Sequence, residues 1–229
     1  MNRFIKRLMA GTLLLWFAVC PAHAWFDETH VAIAKAAGYP KWFNAAAADV
    51  ARLKLGRIEG YNHFVNNRRG TVVTPDMVLA QAARYDTQNP TGHLYGAIIA
   101  SLRNYRADRS AGRYAELHMA YASHYIGDLS MPLHNTVFNA FNRKHHMAND
   151  GIINDEVLEN FDQIKIYPIT LQSEQDLARE VARIANLSMR LGYILEDERR
   201  LMTRTEAYQQ IGHSASLLKA VWSYARKKQ

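Results

Sequence analysis

The chain has 229 residues, 48% of them hydrophobic, and carries 28 Lys and Arg against 21 Asp and Glu, a formal charge of +7. The length suits one domain with a sizeable core. The basic residues are scattered, so the positive charge does not by itself indicate nucleic-acid binding.

The first 24 residues have the pattern of a secretory signal peptide. A basic start and an apolar run precede Ala22-His23-Ala24, a small-x-small cleavage signature. The apolar run is too short to favour a membrane span. We expect cleavage after Ala24 and a periplasmic or secreted protein comprising residues 25–229. That part has 25 basic and 21 acidic residues, a surplus of +4, and no cysteine, because Cys20 lies in the leader. Disulfides are therefore excluded, and stability must come from a core or from metal.

Helical periodicity dominates the rest, and alternating strand-like runs are nearly absent. The pattern predicts a single all-α domain. Thr74-Pro75-Asp76 is a strong helix start, and Gly38-Tyr39-Pro40 ends the first helix. Two segments, 52–74 and 131–149, are not helical by pattern. The predicted helices are Thr29–Ala37, Lys41–Ala51, Pro75–Tyr85, Thr91–Asp108, Gly112–Asp128, Asp150–Asn160, Ser173–Ile194 and Thr203–Lys227.

Two pairs of His and Asp side chains recur at helical spacing. His124 and Asp128 are at i and i+4, which places both on one helix face, and His146 and Asp150 repeat that spacing. One such pair is more often a local hydrogen bond, but two in a short segment indicate more than one metal ion. Pro132 ends the helix that carries His124 and Asp128, so that His134 can reach a neighbouring ion.

The segment SHYIGDLSMPLH, residues 123–134, resembles the core motif of the zinc-dependent phospholipase C and P1/S1 nuclease superfamily. That superfamily is all-α and has a three-zinc site. The resemblance covers most of residues 25–229 and is weaker in the final helix. It implies the same fold for this chain.

The resemblance also implies a set of ligands. Trp25 matches a mature N-terminal Trp that binds through its free amine and carbonyl, and His30 and His63 match family histidines. Asp49 is the expected aspartate, with Glu59 as the alternative, and His145 could replace His146. The implied zinc sites are Asp49, His63, His124 and Asp128; Trp25, His30 and Asp128; and His134, His146 and Asp150.

The implied reaction is hydrolysis of a phosphoric ester by a zinc-bound hydroxide, with Asp49 orienting the water or taking its proton and Asp128 bridging two ions. Glu28 and Phe64 match substrate-contacting positions. We expect a phospholipase C that cleaves phospholipid headgroups and contacts membrane surfaces transiently. The alternatives are a nuclease acting on single-stranded nucleic acid and a non-catalytic zinc-binding protein of the same fold. The absence of disulfides, the short chain and the lack of a dense basic and aromatic groove disfavour the nuclease.

Overall fold

The computed structural model describes residues 25–227, without the side chains of residues 52–55 and 57. The predicted signal peptide lies outside the described residues. Within them the structure has helices and no strands, so the all-α prediction is confirmed. The α-helices are α1 (Asp27–Ala36), α2 (Ala47–Leu55), α3 (Arg57–Gly60), α4 (Pro75–Gln81), α5 (Leu94–Ser110), α6 (Glu116–Leu129), α7 (Ala140–Asp150), α8 (Asn154–Val157), α9 (Glu174–Glu198) and α10 (Arg204–Ala225).

Short 3-10 turns connect some of these helices and extend others, at Trp42–Asn44, Ala82–Arg84, Pro132–Asn135 and Phe161–Gln163. None of the described helices combines the length and the apolar character that a membrane-spanning helix requires.

Helix α6 is the central element of the fold. It packs against α1, α2, α5, α9 and α10, and its residues from Ala122 to Leu129 are buried on every side. This part of the helix can present polar side chains only to the interior, because no face of it meets solvent. His124 and Asp128 therefore need partners inside the protein.

The two long C-terminal helices form one wall of the core. Helix α9 begins with a capping box of Ser173 and Asp176, and α10 with a capping box of Thr203 and Glu206. Each box satisfies backbone N–H groups that the first turn of a helix leaves free. Helix α9 packs on the Pro132–Asn135 turn, and Gly192 makes this possible because a Cβ there would lie 2.9 Å from the Pro132 carbonyl oxygen.

Four helix predictions need correction. The segment 52–74, predicted as non-helical, contains the end of α2 and the single turn α3. The segment 131–149, predicted as non-helical, contains α7, which begins where the Asn139 side chain accepts a hydrogen bond from Asn142 N. The helix predicted over Asp150–Asn160 is reduced to the single turn α8. The helix predicted over Lys41–Ala51 is a 3-10 turn followed by α2.

Candidate metal centre

Helix α6 carries the two side chains in the middle of the centre. His124 and Asp128 are fully buried and lie one helical turn apart, so they point in the same direction. The ring of His30, from α1, stacks on His124 with ring centroids 3.9 Å apart. Gly127 permits this approach, because a Cβ at that position would lie 2.6 Å from His30 Cε1.

Eight His and Asp side chains form three groups, in each of which the potential ligand atoms lie within 4.8 Å of one another. They are the eight side chains that the sequence proposes as ligands. His124 belongs to two groups, whereas the sequence assigns it to one. The first group is His30, His124 and Asp128, the second is Asp49, His63 and His124, and the third is His134, His146 and Asp150.

Asp128 links the first and second groups. Its Oδ1 lies 3.3 Å from His30 Nε2, while its Oδ2 lies 2.9 Å from His63 Nδ1 and 3.4 Å from His124 Nε2. The two oxygens thus face different histidines, as a carboxylate that bridges two ions must. Burial by itself raises the pKa of Asp128, but the surrounding histidines hold it well below its usual range, so the carboxylate is ionised.

In the second group, two histidine nitrogens face each other. His124 Nδ1 donates to the Ala45 carbonyl oxygen at 2.9 Å, and His63 Nε2 donates to Glu59 Oε2 at 2.7 Å. In a neutral imidazole the other nitrogen then carries a lone pair. His63 Nδ1 and His124 Nε2 are only 3.2 Å apart, with Asp49 oxygens at 4.0 and 3.8 Å. Two facing lone pairs repel, so either one of the two nitrogens is protonated or both bind a cation.

The pKa values of these two rings show which of them carries a proton in metal-free protein. Burial by itself lowers the pKa of His63, yet the Glu59 and Asp128 carboxylates raise it to about 10. Burial and the neighbouring His30 lower the pKa of His124 to about 4. In metal-free protein a proton on His63 therefore supplies the charge, and a divalent cation that binds His63 Nδ1 displaces that proton.

The third group repeats the arrangement. His134 Nδ1 donates to the His63 carbonyl oxygen at 2.6 Å, and His146 Nδ1 donates to Asn142 Oδ1 at 2.7 Å. The amide of Asn142 cannot be reversed, because its nitrogen donates to the Leu133 carbonyl oxygen at 2.7 Å. The Nε2 atoms of His134 and His146 then face each other at 3.2 Å.

Asp150 and His30 also have buried polar atoms that lack hydrogen bonds. Neither oxygen of Asp150 accepts one, although Oδ2 lies 3.3 Å from His146 Nε2, and neither ring nitrogen of His30 takes part in one. Burial raises the pKa of Asp150 well above its usual range, and the Asp128 and Asp49 carboxylates raise it further. A buried carboxylate of this kind is stable when it binds a cation or keeps its proton.

A cavity of about 260 Å³ opens beside Asp49. Trp25 is fully buried, whereas Glu28 is exposed at the rim. Asp49 lines the cavity and belongs to the second group, so it stands between the solvent side and the histidines. The lining residues are Trp25, Phe26, Asp27, Glu28, Asp49 and Met147.

The structure separates the alternatives that the sequence left open. Asp49, not Glu59, has its oxygens on the ligand side of His63, while Glu59 lies behind that ring. His146 faces the third group, and His145 instead packs on Phe141 with ring centroids 4.6 Å apart. The sequence did not identify Glu59, Ala45 and Asn142 as partners that orient the histidines.

Phe64 does not line the cavity beside Asp49. Its ring lies near Tyr61, with centroids 6.3 Å apart, and against Gly92, where a Cβ would be 2.7 Å from Phe64 Cδ2. The predicted substrate contact by Phe64 is therefore not part of this cavity, while Glu28 remains at its rim.

The chain matches no protein family model, no curated protein and no solved structure. The three groups nevertheless fit metal ions on their own chemistry, because buried histidine nitrogens and carboxylates converge in each of them. The outward nitrogens of four of the histidines are held by hydrogen bonds, those of His63, His124, His134 and His146. The donors are all nitrogen and oxygen, as zinc sites without cysteine require.

Proposed function

We propose that this protein is a zinc-dependent phosphoric ester hydrolase, a phospholipase C that cleaves phospholipid headgroups. The observation that carries the proposal is the pair of facing histidine nitrogens in both the second and third groups, each at 3.2 Å. Both pairs need a positive charge, which bound metal ions would supply, and Asp128 connects the first and second groups through its two oxygens.

Zinc ions bound here would lower the pKa of a water and neutralise charge on a phosphate group. The protein's own contribution is to place a base beside that water. Burial by itself raises the pKa of Asp49, but His124 and His63 lower it below its usual value, so Asp49 is ionised at neutral pH. From its position between the cavity and the second group, its carboxylate can orient a water or accept its proton.

The surface next to the centre favours a lipid substrate. The segment 43–50 turns Asp49 and the Ala45 carbonyl inward, while Phe43 and Val50 are 61% and 55% exposed on its outer side. With Leu117 and Tyr121 they line a groove of about 480 Å³. Exposed apolar side chains of this kind suit contact with a membrane surface, whereas nucleic-acid grooves are basic and aromatic.

One assay tests the proposal against its alternatives. Protein beginning at Trp25 is loaded with zinc and incubated separately with phosphatidylcholine vesicles, soluble short-chain phosphatidylcholine and single-stranded DNA. We expect release of a phosphorylated alcohol from both lipids. Cleavage of DNA alone would identify a nuclease, and zinc binding without any hydrolysis would identify a non-catalytic protein.

A variant pair tests the contribution of the apolar surface. Phe43→Ser should reduce hydrolysis of vesicles by about tenfold and leave hydrolysis of the soluble lipid unchanged, because only the vesicle requires surface contact. Val72→Ser is the control, since Val72 is 70% exposed and lines a different groove. Equal losses of vesicle hydrolysis in the two variants would exclude a specific role of this surface in membrane contact.

A further inference from the structure

A buried carboxylate lies directly behind one of the proposed ligands. Glu59 is 1% exposed, and its Oε2 accepts a hydrogen bond from His63 Nε2 at 2.7 Å. Its Oε1 accepts a second hydrogen bond from the Tyr125 hydroxyl at 2.8 Å. Both oxygens are therefore engaged on the side of His63 that faces away from the second group, so Glu59 is a partner of His63 and not a competing ligand.

Tyr125 is itself held in a polar network. It is fully buried on α6, next to His124, and its hydroxyl accepts from Asn62 Nδ2 at 3.3 Å. Asn62 in turn donates to Asp86 Oδ1 at 2.7 Å and accepts from His93 Nε2 at 2.7 Å. Because a carboxylate oxygen only accepts hydrogen bonds, the Tyr125 proton points to Glu59, while the hydroxyl oxygen receives the bond from Asn62.

The partner of His63 differs in charge from the partners of the other ligands. His124 and His134 donate to carbonyl oxygens, and His146 donates to an amide oxygen. Only His63, among these four, donates to a carboxylate from the nitrogen that faces away from its group. A carboxylate that accepts an imidazole N–H fixes the tautomer and makes the opposite nitrogen a stronger donor.

We propose that Glu59, held by Tyr125, is a positioning residue that keeps the His63 proton on Nε2 and strengthens Nδ1 as a ligand in the second group. The proposal rests on the proposed metal centre. Glu59 and Tyr125 would thus set the binding affinity of one particular ion. The sequence indicated Glu59 only as an alternative ligand.

The test measures the affinity of each zinc ion by competition with a chelator. Glu59→Gln keeps the size of the side chain and removes its charge. It should lower the binding affinity of one of the three zinc ions about 10- to 100-fold and leave the affinities of the other two unchanged. Tyr125→Phe removes only a hydroxyl and should weaken the same ion to a smaller degree. Tyr193→Phe is the control, because it removes a buried tyrosine hydroxyl that donates to the Asn67 carbonyl oxygen, outside this network.

Unchanged affinities in both Glu59→Gln and Tyr125→Phe would overturn the proposal and leave the metal centre standing. If Glu59→Gln does not fold, the milder Tyr125→Phe decides the question alone. Equal weakening of all three ions would also overturn it, since it would indicate a general loss of stability. Wild-type protein that binds no zinc would refute this proposal together with the proposed function.

Discussion

His134 and His146 meet through their Nε2 atoms at 3.2 Å, with their ring planes inclined by 19°. Each ring already donates from Nδ1 to a buried oxygen. The two facing atoms cannot hydrogen-bond to each other while both rings are neutral, so this contact is stable only around a positive charge. Asp150 is the nearby carboxylate that would share the ion.

Removal of metal should therefore weaken the fold. We expect about three zinc ions per chain after purification without chelator, one for each group. An ion present at a thousand times its Kd stabilises the native state by about 4 kcal/mol, so a chelator should lower the Tm markedly and added zinc should restore it. Elemental analysis and thermal unfolding check both points. One ion or none per chain would contradict the three-ion centre.

Asp128→Asn should abolish hydrolysis while the protein stays folded. The change removes negative charge from the first and second groups at once, because Oδ1 and Oδ2 face different histidines. We expect activity to fall by at least about a thousandfold with little change in circular dichroism. Asp155→Asn, on the exposed side of α8, is the matched control. Near-normal turnover in Asp128→Asn would exclude the bridging role.

Gly127→Ala should displace His30. The added methyl group would lie 2.6 Å from His30 Cε1, so the ring must move out of the first group. We expect the loss of one zinc ion per chain and of most activity. Gly212→Ala introduces similar crowding, 2.9 Å from the Lys165 carbonyl oxygen, but its Cβ points to Lys165 and Tyr167. It should lower the Tm and keep the metal content. Full metal content in Gly127→Ala would show that His30 is not required.

The backbone of Trp25 is the ninth proposed ligand. If its free amine and carbonyl bind zinc, one extra residue in front of it converts the amine to an amide, which is not a neutral nitrogen donor at working pH. Protein that begins at Trp25 should therefore be more active, and hold more zinc, than protein with one additional Met. The two forms have the same side chains from Trp25 onward. Equal activity and equal metal content would restrict Trp25 to packing beside the cavity.

His93 should make stability depend on pH below neutrality. Burial and the neighbouring Arg84 lower its pKa from 6.5 to about 4 in the folded protein. The unfolded chain thus binds a proton more readily, so stability is fully present above pH 6.5 and falls as the pH drops toward 4. The loss at pH 5.5 should be on the order of 1 kcal/mol. Urea unfolding of wild type and His93→Gln at pH 7.5 and 5.5 isolates this effect, and equal losses would exclude it.

The sequence identifies the helical framework and the local ligand pairs. His124 with Asp128, and His146 with Asp150, are each one turn apart, and the period of the α-helix alone brings such side chains to the same face. The start of α4 at Pro75, with Thr74 accepting from Met77 N at 3.3 Å, follows from local capping chemistry in the same way.

Helix α7 was not predicted from the sequence because its buried face is polar. The buried residues are Asn142, His146, Asn149 and Asp150, which have helical spacing but no apolar character. Periodicity in hydrophobicity finds helices that pack on an apolar core, whereas α7 packs on polar groups of the metal centre. The helical spacing of His146 and Asp150 was the one sign of this helix in the sequence.

Only the tertiary structure decided how distant residues share the centre. Spacing along the chain cannot tell that His124 belongs to two groups, or that Glu59 lies behind His63 and not beside Asp49. Those relationships join residues on α1, α2, α3 and α6 through space, and they depend on how closely the helices pack. The buried hydrogen bonds to Ala45, Glu59 and Asn142 then determine which nitrogen of each ring faces the ion, because a ring nitrogen that donates to one of these oxygens leaves the opposite nitrogen free to bind.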